Sequence, residues 1–405
     1  MFEAIARRFF RGSGFTVRLP DGRLTAVGEP EDGSPIVAIR DRATLFRILR
    51  NARLALGEAY MGGALTFERG SIWELMELIG RNVAMRPKRR PGLLAELGRR
   101  WRNGLDQANP RAAARRNVAQ HYDLSLDLYR RFLDEDLQYS CAYFADPGMT
   151  LEEAQDAKKR HIIAKLLLEP GQSVLDIGCG FGGMALSLAE RGVQATGVTL
   201  SEQQLETARE RAARRGLASS ARFELKDYRD LEGPFDRIVS VGMFEHVGLP
   251  NFDAYFQTVA RLLAEDGVAL IHAIGRSEGP STTQPWIAKY IFPGGYIPAL
   301  SEVLPAIERS GLLVTDIEIL RLHYAETVRC WRERFEANRT EIASLYDERF
   351  CRMWEFYLAA SEISFRYFDH MVFQIQLARR SDAVPIVRDY IAYAERRPRR
   401  RSAAA

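Results

Sequence analysis

The 405-residue sequence predicts an α/β protein. Its main part is a doubly wound Rossmann-like sheet with a helical insertion, preceded by a small N-terminal α+β domain. Three observations carry this. From about residue 117, short apolar runs alternate with segments of helical periodicity, the pattern of a parallel sheet with crossover helices. The first of those runs, in VLDIGCGFGG (174–183), passes directly into a glycine loop. Upstream, FTVRLPDGRLTAVG (15–28) sets two alternating runs around Pro-Asp-Gly, a hairpin signal foreign to that pattern.

The elements follow in order. DRATLFRILRN (41–51) and SIWELMELIGRN (71–82) have the spacing of amphipathic helices and complete a domain over 1–84. Proline and arginine dominate the next stretch, so a basic linker is expected over 85–116, with one short basic helix at LLAELGRRW (93–101). Two helical stretches come next. Strands are then expected at 173–178, 194–199, 222–227, 236–242 and 268–275, with SEQQLETARERAARRG (201–216) among the connecting helices. An aromatic-rich, mostly helical insertion fills 276–350. LLVTDIEIL (312–320) and MVFQIQLAR (371–379) complete the sheet of a domain spanning 117–395, and 396–405 form a basic tail.

Composition excludes several classes. With 46% hydrophobic and 27% charged residues the chain is globular. Cys141, Cys179, Cys330 and Cys351 lie far apart without a CxxC pair, which argues against a zinc site or a disulfide framework and fits a reducing cytoplasm. The N-terminal MFEAIARRFFRG is too poor in apolar residues for a secretory signal, and no run of about 18 apolar residues offers a membrane span. Residues 81–120 hold eleven Lys/Arg against two Asp/Glu, and the tail RRPRRR (396–401) is basic again. Since the net charge is only +4, the remainder is acidic. Two basic segments on an acidic body suit docking on a polyanion, anionic lipid or nucleic acid, or else are a solvated linker and tail.

Gly178, Gly180 and Gly183 match G-x-G-x-x-G, a weak signal alone that dinucleotide sites share. The glycines let a backbone approach a cofactor, and the helix start behind them suits a pyrophosphate. Two features favour S-adenosylmethionine instead. Asp176 lies in the strand two residues before the first glycine, where a carboxylate orients the loop and the amino-acid end of that cofactor. FELKDY (223–228) ends in Asp227 and Tyr228, a carboxylate for an adenine amino group and a ring beside the base. A loop cap at Asp176 and a strand-end turn at Asp227 are the structural alternatives. The next strand ends in GVTLS (197–201), without the Asp or Glu that usually grips a ribose.

A set of longer motifs answers that absence: QHYDLSLDLYRRFLD (120–134), QYSCAYF (138–144), LDIGCGFGG, GVTLSEQQ (197–204), SVGMFEHVG (240–248), IHAIGR (271–276), WIAKYIFPGG (286–295) and LHYAETVRCW (322–331). With them the chain resembles the cyclopropane-fatty-acyl-phospholipid synthases and the mycolic acid cyclopropane synthases, over about 117–380 and more loosely in the N-terminal domain. The resemblance implies a class I methyltransferase sheet and S-adenosylmethionine as cofactor. It implies a ribose served by Thr199, Leu200 and Gln204 in place of the acid, and puts Tyr139 and Ser140 at the same cofactor. Phe181 stands where many members have Trp, an aromatic either way.

The implied reaction adds a methylene group to the cis double bond of an unsaturated phospholipid acyl chain. An alkene is a poor nucleophile, a methyl on sulfonium compensates, and the resulting carbocation closes a cyclopropane on losing a proton. Such a site needs an apolar slot, electron-rich faces for the cation and a base kept from bulk water. Tyr139, Tyr143, Phe144, Trp286, Tyr290, Phe292 and Tyr324 are candidate walls, each equally fit for plain core packing. The resemblance implies bound bicarbonate as the base, held by Cys141, Glu245, His272, Ile274 through its backbone, and Tyr324. A small anion wants converging donors, and the O–H of bicarbonate gives Glu245 something to accept. Read singly, these residues are also an ordinary buried thiol, a strand-end cap, a strand histidine and a core tyrosine.

Two other activities compete. A fatty-acyl C-methyltransferase would quench the same cation into a methyl-branched or methylene chain. A nucleic-acid methyltransferase would use the basic linker, but base-amino methylating enzymes carry an Asn/Asp-Pro-Pro-aromatic turn where this chain reads SVGMFEHVG. The expected partners are therefore a membrane phospholipid and an anionic membrane surface, not nucleic acid. The expected location is the cytoplasm with peripheral membrane association, and the resemblance adds a homodimer through the N-terminal domain.

Overall fold

The computed structural model describes residue 10, residues 13–85 and residues 124–396. The expected linker from 86 onward, with its basic helix, and the tail beyond 396 lie outside the described residues.

The hairpin forms where Pro-Asp-Gly predicts it. β1 (Phe15–Arg18) and β2 (Leu24–Val27) pair antiparallel. β3 (Ile36–Ile39) adds parallel to β1, and β4 (Leu65–Arg69) antiparallel to β3, in the order β2-β1-β3-β4. Sequence periodicity did not find β3 and β4, which are four and five residues long and joined by helices rather than a turn. Those helices are α1 (Arg42–Arg50), capped by Asp41 on the Thr44 amide, and α2 (Ala52–Met61). α3 (Ile72–Ala84) follows β4, capped by Ser71.

The larger domain opens with α4 (Leu126–Phe132) and α5 (Leu151–Lys165), the latter starting in a reciprocal Thr150–Glu153 capping box. Five strands then run parallel: β5 (Ser173–Ile177), β6 (Gln194–Thr199), β7 (Ala221–Leu225), β8 (Phe235–Val241) and β9 (Leu263–Arg276). α6 (Gly183–Ala189), α7 (Glu202–Arg214) and α8 (Phe252–Leu262) connect them. β10 (Leu313–Leu320) and β11 (His370–Ala378) complete a sheet of order β10-β11-β9-β8-β5-β6-β7. The expected all-parallel sheet needs one correction, because β11 runs antiparallel to both its neighbours. The reason is where the chain arrives: the preceding helix ends at Tyr367, and His370 enters the sheet opposite Arg276, the last residue of β9.

The expected insertion over 276–350 holds the helices α9 (Pro285–Tyr290), α10 (Leu300–Ser310), α11 (His323–Ala337) and α12 (Arg339–Leu345) with β10 among them, and the long α13 (Glu348–Tyr367) starts at its end. α13 packs against α2 and α3, which joins the two domains. Glu362 of α13, fully buried, accepts from Trp73 Nε1 at 3.0 Å and is paired with Arg332 and Arg366. Tyr60 donates to Glu355 at 2.6 Å, Lys289 and Tyr290 reach Glu58, and Trp286 packs on Phe356 with ring centroids 4.6 Å apart. Trp286 and Tyr290, candidate walls of a slot, thus belong to this seam. A last helix, α14 (Tyr390–Arg396), lies on α5. No helix among the described residues is long and apolar enough to cross a membrane.

The seam is tight enough to test. A Cβ on Gly57 would come within 2.5 Å of Trp286 Nε1 and 2.9 Å of Phe356. Gly57→Val is expected to destabilise the protein by about 1–3 kcal/mol through overpacking, read as a lowered thermal unfolding midpoint; an unchanged midpoint would mean that the seam yields without cost.

Candidate active site

The strand order reverses between β5 and β8, and a crevice opens there at the carboxyl ends of the strands, the usual ligand position in open α/β sheets. Tyr139, Ser140, Asp176, Gly178, Gly180, Thr199, Leu200, Gln204, Asp227 and Tyr228 all line this one cavity. Gly180 has φ +53°, a left-handed conformation, and a Cβ there would touch nothing within 4 Å, so its backbone is bare toward the cleft. A Cβ on Gly178 would strike Met243 at 2.7 Å.

The ribose question has a geometric answer. The Ser201 amide donates to Thr199 Oγ1 at 3.2 Å, so the Thr199 hydroxyl proton goes to Gln204 Oε1 at 2.7 Å. Gln204 then presents its NH₂ as a neutral donor. This is the reverse of a carboxylate, which only accepts. Asp227 does line the cavity, but its carboxylate is gripped by Arg229 through Nε (2.8 Å) and Nη2 (2.6 Å), and it also caps the turn at Tyr228–Asp230. It is a turn residue and a cavity residue at once.

Asp176 provides the clearest mark of a missing partner. Burial pushes its carboxyl up to about 7, against the opposing Ala185 amide and the charge of Lys158. Its Oδ2 has no hydrogen-bond partner among the described residues. A buried carboxylate oxygen left over at the glycine loop fits the ammonium of an amino-acid moiety, so the cavity suits S-adenosylmethionine.

The five expected base-site residues do not line this cavity; they lie on four segments, the loop that carries Tyr139 and Ser140, a 3₁₀ turn, β9 and α11. Glu245 sits in a 3₁₀ turn after β8, and burial raises its carboxyl to about 7. Its Oε1 accepts the Ile274 amide of β9 at 2.6 Å, while Oε2 has no hydrogen-bond partner among the described residues. Ile274's N–H, expected to face an anion, is thus given to Glu245. His272, two residues earlier on the same strand and face, is buried and held neutral by burial and by the nearby Lys158, Lys165 and His161. Cys141 is a buried thiol, pushed well up by burial, with its S–H toward the Ala142 carbonyl. The Ala142 amide donates to Thr327 Oγ1 at 3.0 Å, one helical turn after Tyr324 on α11. Glu245 and Ile274 are in direct contact; Cys141 and Tyr324 are linked through Ala142 and Thr327.

Aromatic side chains connect the two regions. Tyr139, at the cavity, shares a 2.8 Å hydroxyl contact with Tyr357 and lies 5.2 Å from Trp331. Phe292 lies 5.9 Å from both Tyr357 and the cavity-lining His246. Tyr324 packs on Phe365 at 4.6 Å. Tyr143 and Phe144 stack instead on histidines: His161 and His323 for the first, His323 for the second. Sequence reading missed Tyr357 and Phe365; both lie on the aromatic-rich α13, which offered no motif to single them out.

Comparisons with known proteins point to one family over most of the chain. A family model described as mycolic acid cyclopropane synthetase matches residues 109–375, and a model for a domain of unknown function matches residues 2–87. The chain is 39% identical over 372 residues to the cyclopropane-fatty-acyl-phospholipid synthase of Escherichia coli K12, covering 89% of this chain and 93% of that protein. It is 38% identical to the tuberculostearic acid methyltransferase UfaA1 of Mycobacterium tuberculosis, covering 93% and 91%. The mycolic acid cyclopropane synthase CmaA1, solved in complex with SAH and CTAB, superposes with a TM-score of 0.61 at 36% identity, over 65% of this chain and 97% of that one.

Two outcomes test the cavity. Gln204→Leu removes a donor and strands the Thr199 hydroxyl, so S-adenosylhomocysteine should bind about 1–3 kcal/mol more weakly by calorimetry. Asp176 takes up a proton as pH falls through about 7, and its neutral form cannot pair with an ammonium. Affinity should therefore drop below that pH and level off above it, and Asp176→Asn should flatten the dependence; an equally steep profile in the variant would exclude Asp176 as its source.

Proposed function

The chain belongs to the mycolic acid cyclopropane synthetase family, and we propose that it transfers a methylene group from S-adenosylmethionine to the cis double bond of unsaturated phospholipid acyl chains, forming cyclopropane fatty acids. The observation that carries this is the extent of the likeness to the E. coli acyl-phospholipid synthase, which runs through 89% of the chain, beyond the span of the cyclopropane synthetase model.

S-Adenosylmethionine supplies a methyl group on a positively charged sulfur. The chain's own residues do the rest. Asp176 Oδ2 accepts from the amino-acid end, Gln204 donates to the ribose, and the Gly178–Gly180 backbone leaves room for the approach. Tyr139, Tyr357, Phe292 and Tyr324 present aromatic faces to a cation formed on the acyl chain. Bicarbonate is the base that this reading calls for. Tyr324 and the imidazole of His272 would donate to it, the Cys141 thiol would do so on turning its S–H from the Ala142 carbonyl, and Glu245 Oε2 would accept its O–H. Burial keeps Glu245 near 7, where it can take a proton and release it again.

The acyl chain is presented by a bilayer, with the basic segment around 86–116 docking on anionic headgroups at about 1 kcal/mol per well-placed charge. A methyl-branched product is the second reading, favoured by the similarity to the tuberculostearic acid methyltransferase.

Incubation with S-adenosylmethionine, bicarbonate and vesicles of a cis-monounsaturated phospholipid decides between them. Gain of CH₂ with loss of olefinic protons and new upfield ring protons is expected. Gain of CH₂ with those ring protons absent would support the second reading, and no gain would refute both. Glu245→Gln is expected to keep S-adenosylhomocysteine binding and lose most turnover; near-normal turnover would remove Glu245 from the chemistry. Neutralising Arg86, Arg89, Arg90, Arg99 and Arg100 should weaken sedimentation with anionic liposomes at low salt, and unchanged sedimentation would sink the docking role.

A further inference from the structure

We infer that Gln374 and Lys165 are positioning residues that fix His272 in its Nε2–H tautomer, so that the imidazole meets the base site as a hydrogen-bond donor. The inference deepens the proposed function and rests on its reading of His272 as a donor to a small oxyanion.

The argument starts from a side chain that can only donate. Lys165 ends α5, is fully buried, and reaches two oxygens: Glu318 on β10 and Gln374 Oε1 on β11, the latter at 2.9 Å. An ammonium has three N–H bonds and no lone pair, so the Gln374 atom facing it must be the carbonyl oxygen. The amide orientation is then settled by chemistry. Gln374 Nε2 faces the other way and lies 3.1 Å from His272 Nδ1, its direct cross-strand partner in the β9–β11 register. Since Nε2 of the glutamine donates, His272 Nδ1 must carry the lone pair, and the single ring proton is on His272 Nε2.

Burial, first, and the Arg388 charge lower the Lys165 pKa from its ordinary value, and the two carboxylates beside it oppose that shift. Glu318 contacts it directly and Asp316 lies at 3.8 Å; Arg388 and His161 hold Glu318 from its other sides at 3.6 and 2.6 Å. Glu318 is held far below the usual carboxylate range in spite of its burial, by hydrogen bonds and charge from His161 and Lys165. A carboxylate that stays charged beside Lys165 retains the ammonium. The imidazole itself is neutral, because burial and the positive charges of Lys158, Lys165 and His161 resist a second proton. With Lys165 neutral or absent, the Gln374 amide would be free to turn over and present its oxygen to Nδ1. That would draw the proton to Nδ1 and leave a lone pair on Nε2, facing an oxyanion with the wrong sign.

The direct readout is ¹⁵N NMR of the full-length protein labelled at its six histidines, with His272 assigned by its loss in His272→Gln. In the wild type, Nε2 should be protonated and Nδ1 bare. Gln374→Glu, isosteric and still able to pair with Lys165, should protonate Nδ1. Gln374→Leu should raise the KM for bicarbonate about tenfold, the worth of one hydrogen bond, with S-adenosylhomocysteine affinity unchanged. A wild-type ring protonated on Nδ1, a bare Nδ1 in Gln374→Glu, or a normal bicarbonate KM in Gln374→Leu would each overturn the inference. If wild-type turnover does not respond to bicarbonate at all, the base reading fails separately, and the nitrogen signals still decide the tautomer.

Discussion

Much of the active region depends on the burial of two ammonium groups on one helix. Lys158 and Lys165 are seven residues apart, two turns of α5, and both are fully buried. Taking a cation out of water costs several kcal/mol, which only surrounding acceptors offset. Lys165 binds Glu318 and Gln374, under the candidate base site. Lys158 binds Gln138 Oε1 at 2.6 Å and Ser140 Oγ at 2.8 Å, both lining the cofactor cavity. Gln374, Gln138 and Ser140, each having turned an oxygen to a lysine, turn their protons elsewhere. The Ser140 hydroxyl proton points away from Lys158, and Gln138 Nε2 goes to Asp136 at 3.0 Å. One helix thus fixes the polarity of groups at two pockets without entering either.

The apolar half of the region is held differently. α13 turns one face to α2 and α3 of the N-terminal domain and places Tyr357 and Phe365 against Tyr139 and Tyr324. Close-packed interiors transmit displacement because they contain few voids to absorb it. The Glu362 cluster with Trp73, Arg332 and Arg366 adds a buried network at the same helix. The N-terminal domain is therefore part of what holds the aromatic faces in place, and the position of Tyr324 depends on packing that begins at residues such as Trp73.

Sequence alone conveyed the sheet well and grouped the candidate cofactor residues at one place, and for a physical reason. β5 to β9 are short apolar runs bounded by turns, and the glycine loop demands backbone conformations that few residues adopt. All ten residues read as cofactor ligands line one cavity. The reversal of β11 was invisible because strand direction depends on where a twenty-residue helix releases the chain. Trp286 and Tyr290 were read as slot walls because aromatic residues look alike whether they face a ligand or a neighbouring domain. Gln374 lay in a strand read only as completing the sheet, and Lys165 in an unremarked helix; only their alignment with His272 gives them a role.

Asp176 and Glu245 share a condition that links ligand binding to stability. Burial raises both to about 7, from ordinary values of 3.8 and 4.5, and each retains one oxygen without a hydrogen bond among the described residues. Between its unfolded and folded values each group binds more proton in the folded state than in the unfolded one. Stability from both therefore declines as pH rises from about 4 to 7, and the full cost of a buried, half-satisfied carboxylate is present above that. A donor brought to the leftover oxygen offsets that cost: an ammonium at Asp176, an O–H at Glu245. Both ligands should consequently stabilise the protein more at pH 8 than at pH 6. The fold carries two unpaid desolvation penalties at the two places where the reaction needs a partner to arrive.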